Sequence, residues 1–520
     1  MNSSLIESKS GSITLVSPGE LNVDNKSGVI AAQNGSINVR DNSYRDSFNS
    51  VITGGDLLSQ SVNVYAGNAT ADIFVNKLSG TINQTGLAAH VSADTDNLRL
   101  GSICLTGDPT FKNTGNISLD GDIIVAEALT IIAGGSIENS VPLTIAAGDG
   151  TTGHPITIIA GANITSGGAN SPTLPPGTAV ATTINGASAT GGFLRLGSNG
   201  AVTINSRTTA TTGNHNGGTV LLASFEGGTF GGSVDLDDAL VQTGGRGSGT
   251  NGNVTIIGNS VQITTIDTTG STAASPSGSV TLLAAQPNAG VVSWNANGTL
   301  AAGSITAGSF AGSSGVAFDG NVTAGDSITA QGAVVVAFNS ILTTPANASV
   351  SLNGLTPSGV RDTIEFNSNS FISTQTLNLT SGDEISGIIT NAQFINASAV
   401  SDVELTGQNP DPVVLAVNAA GSLQANFVGS VISDPTIKIV ATNGIRLVSS
   451  SGSIGLSANS PLEFTTDFLG LNAIKGNVFA ETTGNTALVG NLAHAAAGTY
   501  SVIAGGDLGA NASTTALSRV

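Results

Sequence analysis

The chain has 520 residues, 69 of them glycine, with 9% charged and 4% aromatic residues, too little of either for the surface and core of an ordinary globular enzyme. Fifteen Lys and Arg stand against 34 Asp and Glu, and the formal net charge of -19 repels nucleic acid and anionic membranes. Disorder and a collagen-like triplet are excluded too, because Val, Ile, Leu and Ala recur periodically and glycine keeps no three-residue register.

Met1 to Ser10 holds no apolar stretch of the length a secretory signal needs, and no run of about eighteen apolar residues occurs that would predict a membrane-spanning helix. Two expectations compete here: a cytosolic protein, or a segment of a longer exported one. From Gly11 a two-residue beat begins, an apolar residue, a small polar one and a second apolar one, launched by Gly-Ser or Gly-Asn. It reads Gly11-Ser12-Ile13-Thr14-Leu15, then Gly35-Ser36-Ile37-Asn38-Val39 and Gly115-Asn116-Ile117-Ser118-Leu119. It returns at Gly252-Asn253-Val254-Thr255-Ile256, Gly278-Ser279-Val280-Thr281-Leu282 and Gly452-Ser453-Ile454-Gly455-Leu456. Side chains alternate faces along a strand, so each unit is a short strand with one apolar face. Gly-Gly, Asn-Gly and Gly-Asp clusters between the units supply tight corners.

A strand of this kind buries its apolar face only by stacking on copies of itself. Launching glycines recur at about 24 to 26 residues, and Leu129-Thr130-Ile131-Ile132-Ala133 is echoed about 27 residues later by Ile156-Thr157-Ile158-Ile159-Ala160. The pattern predicts an all-β parallel β-helix (β-solenoid) of roughly 20 to 25 coils, continuous from 1 to 520. The beat weakens at 166–192, where Pro172, Pro175 and Pro176 fall, and at 208–218 and 244–251. These predict one long loop excursion and two shorter loops.

Candidate chemistry is sparse. Asp237-Asp238 is the one carboxylate pair that suits a polysaccharide lyase or glycosidase. A polygalacturonase-like order needs Gly-His-Gly after the pair, but Gly153-His154-Pro155 and Asn214-His215-Asn216 precede it, and His494 lies in Leu-Ala-His-Ala. A solvated turn is the favoured reading. His90, His154, His215 and His494 lack zinc-ligand spacing, and Gly54-Gly55-Asp56 and Gly505-Gly506-Asp507 lack that of calcium nonapeptides. Gly244 to Gly249 has no Lys-Ser or Lys-Thr after it, as a phosphate loop requires. Cys104, the single cysteine, excludes an internal disulfide and is expected to point outward from its strand. The Thr clusters at 208–212 and 264–269 do not recur in register, as an ice-binding face would require. The expectation is therefore no catalytic residue, no metal and no cofactor.

Ala504-Gly505-Gly506-Asp507-Leu508, Thr53-Gly54-Gly55-Asp56-Leu57 and the Gly-Ser-Ile-Thr-Leu and Gly-Asn-Val-Thr-Ile units together resemble the passenger repeats of filamentous haemagglutinin-like large bacterial exoproteins. The resemblance is one of repeat style and covers most of the chain. It implies a right-handed parallel β-helix, two-partner secretion with an outer-membrane transporter barrel as partner, an extracellular or cell-surface location, and cell adhesion to a host or neighbouring-cell ligand. The expected function is a non-catalytic structural or adhesive stalk segment; the alternative is a carbohydrate-active β-helix enzyme with Asp237 and Asp238 in its cleft. The chain departs from the resemblance in showing neither a signal peptide nor the capped secretion domain, as expected of a segment of a longer exported chain.

Overall fold

The computed structural model describes residues 5–40, 49–162, 164, 191–227, 230–270, 278–284, 292–294, 299–309, 315–318, 321–331, 333–336, 340–354, 363–367, 369–432, 438–489, 494–495 and 498–511. Among them there is no helix: parallel strands stack in coils, about 18 turns of β-solenoid. The chain divides into two compact units, Met1–Ala285 and Gln286–Val520. Each is described by itself.

In unit 1 the strand beat becomes a literal register. Ile13, Thr14 and Leu15 pair with Ile37, Asn38 and Val39 on the next coil, and Leu129 to Ile132 pair one for one with Ile156 to Ile159. Stacking puts like on like. Leu98, Ile117, Ile137, Leu194, Val234 and Val261 form one inward column across six successive strands, each buried. Burying each such side chain stabilises by about 1.5 to 3 kcal/mol, and because every coil touches only its neighbours, the contributions add along the stack. Unit 2 repeats the device with Val350, Leu377, Ile395 and Leu415, and with Val403, Leu423, Ile445 and Leu469. One antiparallel hairpin, Glu226–Gly227 with Phe230–Gly231, stands apart from the parallel ladders.

The launching dipeptide has a physical cause at each residue. A Cβ on Gly35 would lie 2.5 Å from the Gly11 carbonyl oxygen, and one on Gly278 would lie 2.0 Å from that of Gly252, so only glycine stacks on glycine here. The following Ser or Asn is an acceptor for the next coil. Ser12 Oγ accepts the Ser36 N–H at 3.1 Å, Asn253 Oδ1 the Ser279 N–H at 2.9 Å, and Asn116 Oδ1 the Ser136 N–H at 2.7 Å. In unit 2, Ser430 Oγ serves the Ser453 N–H and Ser453 Oγ the Asn477 N–H, both at 3.0 Å. These side chains satisfy corner N–H groups that the strand ladders leave over.

The turns are fewer than the spacing predicts because coil length varies widely. Strand pairing joins neighbouring coils at separations from 17 residues, Ile388 with Leu405, to 64, Ile156 with Val220. The long excursion absorbs chain that the average spacing assigns to coils. Of the expected loop at 166–192, residues up to 190 lie outside the described residues, but its base is defined: the Gly191 N–H meets the Gly161 carbonyl at 3.3 Å. The double isoleucines of the echo break the alternation, turning Ile132 and Ile159 outward. There they join Ala162, Ile164, Ala223, Phe225 and Ile257 in a second buried apolar cluster beside that base.

The loops at 208–218 and 244–251 are not independent of one another. His215 and Arg246 exchange backbone hydrogen bonds of 3.0 and 2.7 Å, and Asn216 Oδ1 accepts the Thr250 N–H at 2.9 Å. On the other side, the Asn216 carbonyl accepts the Gly153 N–H at 2.9 Å and Thr209 Oγ1 donates to the Gly150 carbonyl at 2.9 Å. Three corner loops thus stack as the coils do. Cys104 is exposed on its strand, in register between Thr85 and Ile124.

Candidate functional site

Asp237 and Asp238 lie on the strand Val234–Gln242, both exposed, where the register shifts between Leu236 and Leu240 against the next coil. Their flanks, Leu236 and Ala239, are buried, so the pair is the outside of a bulge at a corner. Thr264 Oγ1 donates to the Leu236 carbonyl at 2.9 Å and also to that of Asp237, while Gln262 Nε2 reaches Asp237 Oδ1 at 3.4 Å. Gly197, with φ +103°, makes room: a Cβ there would lie 2.3 Å from the Asp238 nitrogen.

Charge near this corner is stacked as well. Glu138, Arg195 and Asp235 form one outward column, with Arg195 Nε 3.7 Å from Asp235 Oδ2 and its guanidinium 4.6 Å from the centre of the Phe193 ring. Burial pushes the Asp235 carboxyl pKa up, the charge of Asp237 adds to the rise, and Arg195 opposes it. His154 and His215 belong to the stacked corner loops, where the His154 N–H is held by the Ala147 carbonyl at 3.0 Å. His494 sits on the two-residue strand that pairs with Asn472 and Ala473. Among the described residues, no group of three or more His, Cys, Asp or Glu is placed to hold a metal ion.

One ionisable pair escapes sequence inspection. Asp72 and His90 stand directly opposite on adjacent coils, and the next outward residues in the same register are Ser92 and the buried Lys112. Asp72 Oδ1 and His90 Nδ1 are buried without a hydrogen-bond partner among the described residues. Burial raises the Asp72 carboxyl pKa, and the neighbouring His90 opposes the rise; burial lowers the Lys112 ammonium to about 8. The readable signal is an ionisable residue at equal positions of the beat one short coil apart.

The outer faces also carry grooves, and two of them share one construction. In unit 1, a groove of about 400 Å³ runs over Thr14, Asn38, Asn63 and Asn83, which are in register on four successive coils. Asn63 Nδ2 donates to Asn38 Oδ1 at 2.9 Å and Asn83 Nδ2 to Asn63 Oδ1 at 3.0 Å. The adjacent outward column presents Tyr65 and Thr85, and Arg40 closes one end. In unit 2, a groove of about 330 Å³ runs over Asn378 and Asn396, joined by a 2.8 Å bond, beside the column Thr380, Ser398 and Asn418, with Lys438 at its rim. Each groove is an amide ladder next to a column of hydroxyls.

Fold and surface together define a β-solenoid repeat protein whose polar groups are organised in axial columns. Comparisons with protein families, with curated proteins and with solved structures find no match for the chain.

Proposed function

We propose that the chain is a structural and adhesive segment of a large exported bacterial surface protein of the filamentous haemagglutinin-like kind. On this reading it is extracellular, reaches the surface through an outer-membrane barrel partner, and works by contact rather than by catalysis. The observation that carries the reading is the repetition of outward polar columns at coil after coil, in unit 1 at Asn38, Asn63 and Asn83 and in unit 2 at Asn378 and Asn396. A surface built by repetition offers many equivalent contacts, which multiply weak affinities into avidity.

The competing reading, a carbohydrate-active enzyme using Asp237 and Asp238, shares the fold and makes an opposite prediction. The purified chain is coated on beads and scored for adherence to bacterial and epithelial cell layers, and in parallel incubated with acidic polysaccharides while reducing ends are counted. Expected are adherent beads and no release of reducing ends. Release that disappears in the Asp237→Asn, Asp238→Asn double variant overturns the adhesive reading.

A further inference from the structure

We propose that the two amide-ladder grooves are binding subsites for an extended, neutral polysaccharide, an inference that rests on the adhesive reading above and gives its ligand a chemical class. A side-chain amide has two N–H donors and one oxygen, and along each ladder a rung donates one N–H to the rung before it. Asn63 and Asn83 each donate once along the stack, as do Asn378, to Ser351 Oγ at 3.2 Å, and Asn396. That leaves each of these four amides a further N–H with no partner among the described residues, beside a column of hydroxyls from Tyr65 and Thr85 in one groove and from Thr380 and Ser398 in the other. The complementary ligand carries hydroxyl and ether oxygens at a regular interval.

The interval selects among polymers. Rungs repeat at the inter-strand distance of about 4.8 Å, whereas an extended peptide lying along the axis presents same-face groups about every 6.8 Å and falls out of step within two rungs. Each pyranose of an extended glycan spans about one rung and carries oxygens on both edges, so even where successive rings are flipped each of three or four sugars offers an acceptor over the Thr14 to Asn83 column. Tyr65 adds an aromatic face on which a sugar ring can stack.

Charge then selects within the glycans. The chain carries -19, yet among the described residues no carboxylate lines either groove. Each cation also has a partner already. Arg40 is 3% exposed, with Nη2 donating to the Gly19 carbonyl at 2.7 Å and the Asn49 carbonyl at 3.3 Å, and Lys438 Nζ lies 2.9 Å from Glu463 Oε2. Grooves with their cations already engaged favour a neutral ligand over a uronic-acid polymer.

The test is affinity electrophoresis of the full chain through native gels containing hydroxyethylcellulose, mannan or xylan, with polygalacturonate as the acidic arm. At least one neutral polysaccharide is expected to retard the chain, and polygalacturonate is not. Thr85→Arg with Asn418→Arg obstructs both grooves from exposed positions outside the ladders, and is expected to weaken neutral retardation about tenfold while leaving the β-type circular dichroism spectrum unchanged. Asn63→Ala, which interrupts the first ladder, is expected to lower retardation in the same direction, with Asn63→Ser keeping more of it than Ala does. Retardation by polygalacturonate alone, by no polysaccharide, or undiminished in the folded double variant overturns the inference. Adhesion of the beads without any neutral retardation defeats this inference while leaving the adhesive reading standing.

Discussion

Unit 1 turns its corners largely on glycine, with Gly54, Gly67, Gly80, Gly161 and Gly197 among the residues held at φ between +65 and +103°. Unit 2 has left-handed glycines at Gly387 and Gly455, places asparagine at Asn347 and Asn369 in the same conformation, and fixes its corners with buried hydroxyls. Thr344 Oγ1 donates to Thr374 Oγ1 at 2.8 Å, Thr374 Oγ1 to the Ala348 carbonyl at 3.1 Å, and Thr486 Oγ1 to the Thr466 carbonyl at 3.0 Å. The difference teaches that the faces of a solenoid are interchangeable while its corners are not. Aliphatic columns in the two units look alike, and both bond hydroxyls at their bends, as Thr243 Oγ1 to the Gly252 carbonyl at 2.6 Å and Thr268 Oγ1 to the Gly278 carbonyl at 2.7 Å do in unit 1, but left-handed glycines are commoner among the described residues of unit 1.

That contrast can be broken at single residues. The largest effect is expected at Gly252, where a Cβ would sit 1.9 Å from the Gly218 carbonyl oxygen: Gly252→Val should cost about 3 kcal/mol, read as a lowered urea midpoint for probes in unit 1. In unit 2, Thr374→Val keeps the shape and deletes the hydroxyl, stranding Thr344 Oγ1 and leaving the Ala348 carbonyl with the Thr376 N–H at 3.2 Å alone. A loss of about 2 kcal/mol, read by probes in unit 2, is expected; an equal loss from Gly→Ala at Gly387 and none at Thr374 would erase the distinction.

A smaller change, of opposite sign, is expected in the core of unit 1. Gln84 occupies an inward position opposite Val64 and Ile103, is 1% exposed, and neither amide atom has a hydrogen-bond partner among the described residues. Gln84→Leu should raise the urea midpoint by the equivalent of about 1 kcal/mol. Smallest is a local pH effect at the stacked corner loops. Asp149 accepts the Thr151 hydroxyl at 2.6 Å and the N–H groups of Thr151 and Thr152 at 2.7 Å each, and these bonds hold its carboxyl at about 2, below the ordinary 3.8. Because the folded value is the lower one, the turn gains stability above the ordinary value and loses it as pH falls toward 2. Amide shifts of Thr151 and Thr152 should follow that window, and Asp149→Asn should flatten it.

Much of this architecture is readable from the chain. The Gly11, Gly35, Gly252 and Gly278 units mark strands, corners and even registered partners, and the Leu129 and Ile156 segments announce their own pairing. The candidate grooves were not legible, although Asn38, Asn63 and Asn83 all occupy the polar slot of the beat. Their separations of 25 and 20 residues differ, so no fixed repeat connects them. Asp237 and Asp238, read from the sequence as a solvated turn, are exposed at a corner, where the register shifts between Leu236 and Leu240.

What the sequence by itself determined is which side of each strand is apolar and where the chain can bend, because alternation and glycine act within a few residues. Only the tertiary structure decided which strands become neighbours, since coils from 17 to 64 residues long are matched by backbone pairing between them rather than by any interval in the chain. Asparagines become a ladder, and Asp72 meets His90, only once that register is set.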